Sequence, residues 1–414
     1  MGARSVIRWA MAVGVLGVAD GCRGNAAPGD ATPSPIFKLV SSLPRNGAAR
    51  AQSDAIVNGI RQAIAEKNGR VGGYAVAYED WDDASAQTGD WDMELEAGNA
   101  RRASADPNVL FYVGPYSSGA AKVSLPILNR ANLVTISPTN TYGGLTKAGA
   151  SEPDEPGIYQ PSGRITYYRV VPTDERQGSI GAAFAKAKGW TRIFVVHDGG
   201  LFGQGTADSF VGVAGKLGLH IVSNVAEKID PRAPEYAAIL QRVRRLRPDA
   251  IYFGGTTQPN GGRMARDLLA AAGPRAALVA PDGCFQTAFI EAAGAAVLNG
   301  RTFVTFGGLP PAKLTGAGAA FVSAYRQRFN IEPEGYAVNG YIAAQVALQA
   351  FEKAGGKNRE AVRQAMVGLG QVNGALGTWR FDEHGDTTLA TISVNVVEDG
   401  HFAFVAAVDQ PATD

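Results

Sequence analysis

Residues 109–142 read, in order, as a strand, a glycine turn, a helix, a second strand and a loop. Residues 109–113 are apolar and rich in β-formers. Gly114-Pro115 breaks the run. Ser117 and Ser118 stand where a helix should begin, with hydroxyls able to accept an orphan backbone N–H. The helix is expected to reach about Arg130, and a second strand to cover residues 133–136. Two hydroxyl-rich loops then leave the carboxyl ends of adjacent parallel strands, where an open α/β sheet binds its ligands. Free N–H groups and hydroxyls at a helix start suit a carboxylate. They also serve as plain caps and turns, and spacing alone does not choose between the two.

The chain has 414 residues, more than one core usually holds, so two lobes are expected. Strand and helix alternate along it, and its 52 glycines fit an α/β fold with many tight turns. The net charge is +1, with no basic stripe to suggest nucleic acid and no apolar run long enough for a membrane-spanning domain. Arg4 and Arg8 precede a short apolar stretch, residues 9–19, which reads as a leader. Residues 23–35, rich in Gly, Pro and Ala, read as a disordered tether. No Gly-x-Ser-x-Gly elbow occurs, and no dinucleotide or Walker loop follows a strand, so neither a hydrolase nor a nucleotide enzyme is indicated and no cofactor is expected. Asp80, Asp82 and Asp83 form a carboxylate group without the glycine and closing glutamate of a calcium loop. They read as a polar cleft rim with Trp81 as a wall, and no metal is expected.

Three motifs occur together in order: Gly114 to Ser118, then Pro126-Ile127-Leu128, then Ile136-Ser137-Pro138-Thr139-Asn140-Thr141. Their order and spacing resemble the branched-chain amino-acid class of periplasmic binding proteins, the receptors of ABC importers, and the leucine/isoleucine/valine-binding group in particular. The resemblance runs over about residues 36–406. It implies two Rossmann-like lobes, parallel sheets flanked by helices, joined by a three-strand hinge in the type I Venus-flytrap arrangement. The first lobe would be residues 36–168 with 306–390, the second residues 169–305 with 391–408.

The resemblance also implies a site. Ser118, Thr139 and Thr141 would hold a ligand carboxylate, with Ser117, Tyr142 and Tyr336 as weaker neighbours. His197-Asp198-Gly-Gly-Leu-Phe202-Gly-Gln-Gly205 is similar to a family loop that carries tyrosine where Phe202 stands. Phe202 would be an apolar wall, and Thr256 a small polar contact. Asp282, in Val279-Ala280-Pro281-Asp282-Gly283, would meet an α-ammonium, whose donors must be satisfied once desolvated. Asp282 could equally cap a helix over residues 284–292. Ala19-Asp20-Gly21-Cys22 resembles a lipoprotein cleavage box, which would leave lipidated Cys22 holding the receptor at the outer face of the cytoplasmic membrane or in the periplasm. Cys284 would then be a lone thiol, expected in the core. The implied partners are a small amino acid or related zwitterion and an ABC permease and ATPase. The alternative is a sensor of an amide or of an aromatic or small carboxylate, feeding a signalling partner.

Overall fold

The structure, a computed structural model, describes residues 35–149, 152–223, 225–233 and 236–409. The leader, Cys22 and all of the tether but Pro35 lie outside them. The chain runs β1 Ile36–Leu43, α1 Arg50–Glu66, β2 Arg70–Val71, β3 Tyr74–Asp82, α2 Met93–Ala105, β4 Val109–Val113, α3 Ser118–Arg130, β5 Val134–Ser137 and β6 Tyr167–Arg169. These strands form one sheet in the order β2-β3-β1-β4-β5-β6, parallel except for the short β2. The central strands are buried on both faces, as their unbroken apolar runs require.

After α4 Asp174–Ala187 come β7 Arg192–His197, α5 Leu201–Ala214, β8 His220–Ile221, β9 Glu227–Lys228, α6 Ala237–Leu246, β10 Ala250–Gly254, α7 Gly261–Ala272, β11 Ala277–Ala280, α8 Thr287–Ala293, α9 Ala295–Leu298 and β12 Thr302–Gly307. The chain then makes α10 Ala317–Phe329, α11 Ala337–Ala354 and α12 Arg359–Val367. It ends with a small ribbon of β13 Val372–Gly374 and β14 Gly377–Trp379, followed by β15 Ile392–Glu398 and β16 His401–Val408. The second sheet has the order β16-β15-β12-β11-β10-β7-β8, with β9 beside β7. Its last two strands form an antiparallel hairpin on β12.

In each sheet the strand order reverses once, beside β1 and beside β7, and the chain passes between the sheets three times: after β6, after β12 and before β15. The α/β class expected from strand–helix alternation is the one observed, and so are the two helix-flanked, mainly parallel sheets that the resemblance implies, the second carrying an antiparallel hairpin at its edge. The strand β8 is short, and the chain pairs with β7 again at Glu227–Lys228. One local expectation needs correction. The helix expected over 284–292 is a single 3₁₀ turn, Asp282–Cys284, followed by α8 with Gln286 at its N-cap.

Candidate functional site

Apart from Tyr336, which precedes α11, the residues around the main cavity lie at or beyond the carboxyl ends of strands. The cavity measures about 410 Å³, within the range of small-molecule pockets. Pro44 follows β1, Trp91 follows β3, Tyr116 to Gly119 follow β4 and Thr139 follows β5; from the second sheet come Asp198 to Gly203 after β7, Thr256 after β10 and Asp282 after β11. The space lies at both topological switch points, where ligands of open α/β sheets bind.

One wall is polar and nearly neutral. Ser117 is the N-cap of α3, and its hydroxyl accepts from the Gly119 N–H at 3.2 Å. Ser118 and Thr139 line the cavity beside it. The Thr139 hydroxyl donates to the Tyr116 carbonyl at 2.8 Å, and Asn140 Nδ2 donates to the same carbonyl at 2.9 Å. Below them the Ser137 hydroxyl accepts the N–H groups of Thr139 (3.2 Å) and Asn140 (2.8 Å). The loop after β5 is thereby fixed against the loop after β4, with the start of α3 facing the cavity.

The opposite wall carries charge. Asp282 is 1 % exposed. Its N–H donates to Gln177 Oε1 at 3.1 Å. Gln177 and Tyr336 stand beside its carboxylate, yet neither carboxylate oxygen has a hydrogen-bond partner of good geometry. Burial is the main cause that pushes its pKa up to about 6, with Gln177 and Tyr336 opposing. Its side chain caps no helix, so the capping alternative does not hold. Gly283 lets the walls converge: a β-carbon there would stand 2.7 Å from Thr256 Cγ2 and 2.8 Å from Phe202 Cε1. Asp198 also lines the cavity and is pushed to about 6, chiefly by burial. Its oxygens, unlike those of Asp282, are engaged, accepting the Gly200 N–H at 2.9 Å and the Thr256 N–H at 3.1 Å.

Of the residues singled out from the sequence, Ser117, Ser118, Thr139, Phe202, Thr256, Asp282 and Tyr336 meet at this cavity. Three others do not line it. Thr141 is 1 % exposed, and its carbonyl accepts the Asp174 N–H at 2.9 Å, which places it behind the wall. The Tyr142 hydroxyl donates to Glu155 at 2.7 Å, and Lys122 lies 4.4 Å from its ring. Trp81 packs with Val40, Ala100 and Tyr112 and stacks under Arg102 at 4.0 Å, because on β3 it faces α2. The tryptophan at the cavity is Trp91. Trp91, Tyr116 and Asp198 were missed as site residues. The Asp90-Trp91-Asp92 step just before an N-capped helix was the available signal for the first. Of the acidic group, Asp80 pairs with Arg45 at 3.1 Å, and Asp82 accepts the Arg45 and Ala84 N–H groups at 2.8 Å each. Asp83 is buried. Cys284 is fully buried with its thiol pKa pushed well up, mainly by burial.

Residues 38–401 match the model of the periplasmic binding protein family. The chain belongs to this family. The likeness to its Leu/Ile/Val-binding group, read from the loops after β4 and β5, holds as well. The Leu/Ile/Val-binding protein BraC3 of Rhizobium johnstonii is 29% identical over 363 residues, covering 86% of this chain and 90% of that protein. The crystal structure of a leucine binding protein, LivK, from Thermotoga maritima is 25% identical, with a TM-score of 0.78 over 90% of this chain and 99% of that one. A solute binding protein of R. palustris, solved in complex with benzoate, shares the fold at 18% identity, with a TM-score of 0.75 over 91% of this chain and 98% of that one. Among the described residues no helix is long and apolar enough to cross a membrane.

Proposed function

We propose that this periplasmic binding protein is the extracytoplasmic receptor of an ABC importer and that its ligand is a small α-amino acid. The observation that carries the reading is Asp282: a carboxylate held out of water, neither oxygen of which has a hydrogen bond of good geometry, on the wall opposite the start of α3. A ligand ammonium would supply the missing donors. Ser118, Thr139 and the first N–H groups of α3 would take the ligand carboxylate. A zwitterion would span both walls, its carboxylate at the hydroxyls and N–H groups and its ammonium at Asp282, and contacts to both exist only when the walls face each other, so binding favours closure. The moving bodies would be residues 36–168 with 306–390 and residues 169–305 with 391–408. The relatives named for leucine, isoleucine and valine support an aliphatic side chain packed on Phe202 and Trp91. The role is capture and delivery rather than catalysis, as for the receptors of this family. We assign Cys22 as the lipid anchor, to be checked by mass spectrometry of the chain from membrane fractions.

One observation favours a second ligand class. Trp91, Tyr116, Phe202 and Tyr336 give the cavity four aromatic walls, which suit an aromatic carboxylate such as the one held by the R. palustris protein. Calorimetry of the purified chain against leucine, isoleucine and valine, and against benzoates and amides, separates the two. Micromolar or tighter binding of an amino acid, lost in Asp282→Ala with the fold intact, supports the amino-acid reading. Benzoate binding that survives Asp282→Ala replaces it.

A further inference from the structure

The loop between β3 and α2, residues 83–92, belongs to the first sheet but reaches the loops of the second. Among the described residues its tip makes two polar contacts with them. Asp90 pairs with Arg232 at 2.7 Å, and the Gly89 carbonyl accepts from Gln258 Nε2 at 2.9 Å. Neither contact involves the residues assigned to the ligand's charged ends, and Asp90, Arg232 and Gln258 all stand around the cavity.

Both banks are braced for this contact. Within the loop, Ala84 bridges Trp91, the Asp92 N–H donates to the Asp83 carbonyl at 2.7 Å, and the Ser85 N–H donates to the Asp90 carbonyl at 2.9 Å. Asp82 holds its base through the Ala84 N–H. On the far bank, Asp230 accepts the Arg232 N–H at 2.8 Å, and Asn260 Nδ2 donates to the Pro231 carbonyl at 2.7 Å. Two stiff loops lose little conformational freedom when they meet, so most of the contact energy goes into closure. The ion pair is half open to water, with side-chain exposures of 56% and 21%, and alone is a modest contact. The Gln258 bond beside it is shielded, since Gln258 is 8% exposed.

We propose that residues 83–92 form a latch, and that the Asp90–Arg232 pair with the Gly89–Gln258 hydrogen bond keeps part of the ligand-free population closed. The same contacts would slow ligand release, because Trp91 rides on the latch and must leave the cavity with it.

The test needs no ligand, so it stands or falls separately from the amino-acid reading. Small-angle scattering of the ligand-free chain gives the closed fraction from the radius of gyration. It is measured for the unmodified chain, for Asp90→Arg, and for the exchanged pair Asp90→Arg with Arg232→Asp. Placing two like charges at the latch should lower the closed-to-open ratio roughly three- to tenfold, and the exchange should restore it. Raising the salt to about 1 M, where charges are screened within about 3 Å, should move the unmodified chain the same way. Both substituted residues are partly open to water, and an unchanged melting temperature confirms intact folds. Identical scattering from all three chains overturns the latch. So does expansion in Asp90→Arg that the exchange fails to reverse.

Discussion

Asp282 is costly to the free protein. Burial raises its pKa from 3.8 to about 6, so the folded chain binds a proton that the unfolded chain gives up. Its contribution to stability therefore falls as pH rises from about 4 to about 6, and stays low above that. The shift corresponds to about 3 kcal/mol at neutral pH. Asp282→Asn should accordingly raise the melting temperature of the ligand-free chain at pH 7.5 while abolishing amino-acid binding, as calorimetry on the same sample would show. The same carboxylate gives binding a pH signature. An α-ammonium stays charged throughout the range, so affinity should be flat above pH 7 and fall up to tenfold per unit below about 6. A ligand that brings only a carboxylate would show the opposite slope, because protonating Asp282 removes a repulsion. Titrations at several pH values tell the two apart without a structure.

Between elements, two contacts set where the loops around the cavity lie. Helices α1 and α11 meet backbone to backbone: a β-carbon on Gly59 would stand 2.1 Å from the Ala337 carbonyl oxygen, and one on Gly340 would stand 2.3 Å from that of Ile56. Gly340→Ala must push the helices apart and should cost at least about 1–3 kcal/mol, read as a lowered midpoint in urea. At the other contact Arg169, fully buried on β6, pairs with Asp386 at 2.6 Å and donates to the Tyr142 carbonyl at 2.8 Å. Burial pushes the Asp386 pKa up, but the charge and hydrogen bond of Arg169 outweigh this and leave it below the ordinary value. The stability it contributes is present at neutral pH and lost on acidification. Asp386→Asn leaves the guanidinium buried without its counter-charge and should cost about 3–5 kcal/mol, measured the same way. Neither contact could be read from the sequence, since each joins residues far apart in it. What could be read was local: the apolar runs of β4, β5, β7 and β11, and the serine that caps α3. The same limit explains Trp81 and Trp91. The two-residue period of β3 shows that alternate side chains share a face, but which face looks into the cleft depends on where α2 packs. Thr141 was misplaced for a similar reason: the turn at Ser137 directs Thr139 into the cavity and Thr141 behind it.

For the whole molecule, a ligand held by loops of both sheets adds contacts that the free chain lacks. Nothing in the unfolded chain can bind it, so its binding free energy adds directly to the stability of the folded state. At a free concentration of about 100 times Kd that amounts to about 2.7 kcal/mol. Unfolding entropy scales with length at about 2.1 cal/mol/K per residue, so for a body of this size the melting temperature should rise by about 3 °C. The shift should grow with the logarithm of ligand concentration. Asp282→Asn separates this effect from general stabilisation: its ligand-free chain should melt higher than the unmodified one, yet leucine, isoleucine and valine should not move it. A thermal-shift series with those three amino acids, run on both chains, measures each prediction at once. If the amino acids shifted both chains equally, they would be binding without the buried carboxylate, and the ammonium would have to be placed elsewhere in the cavity.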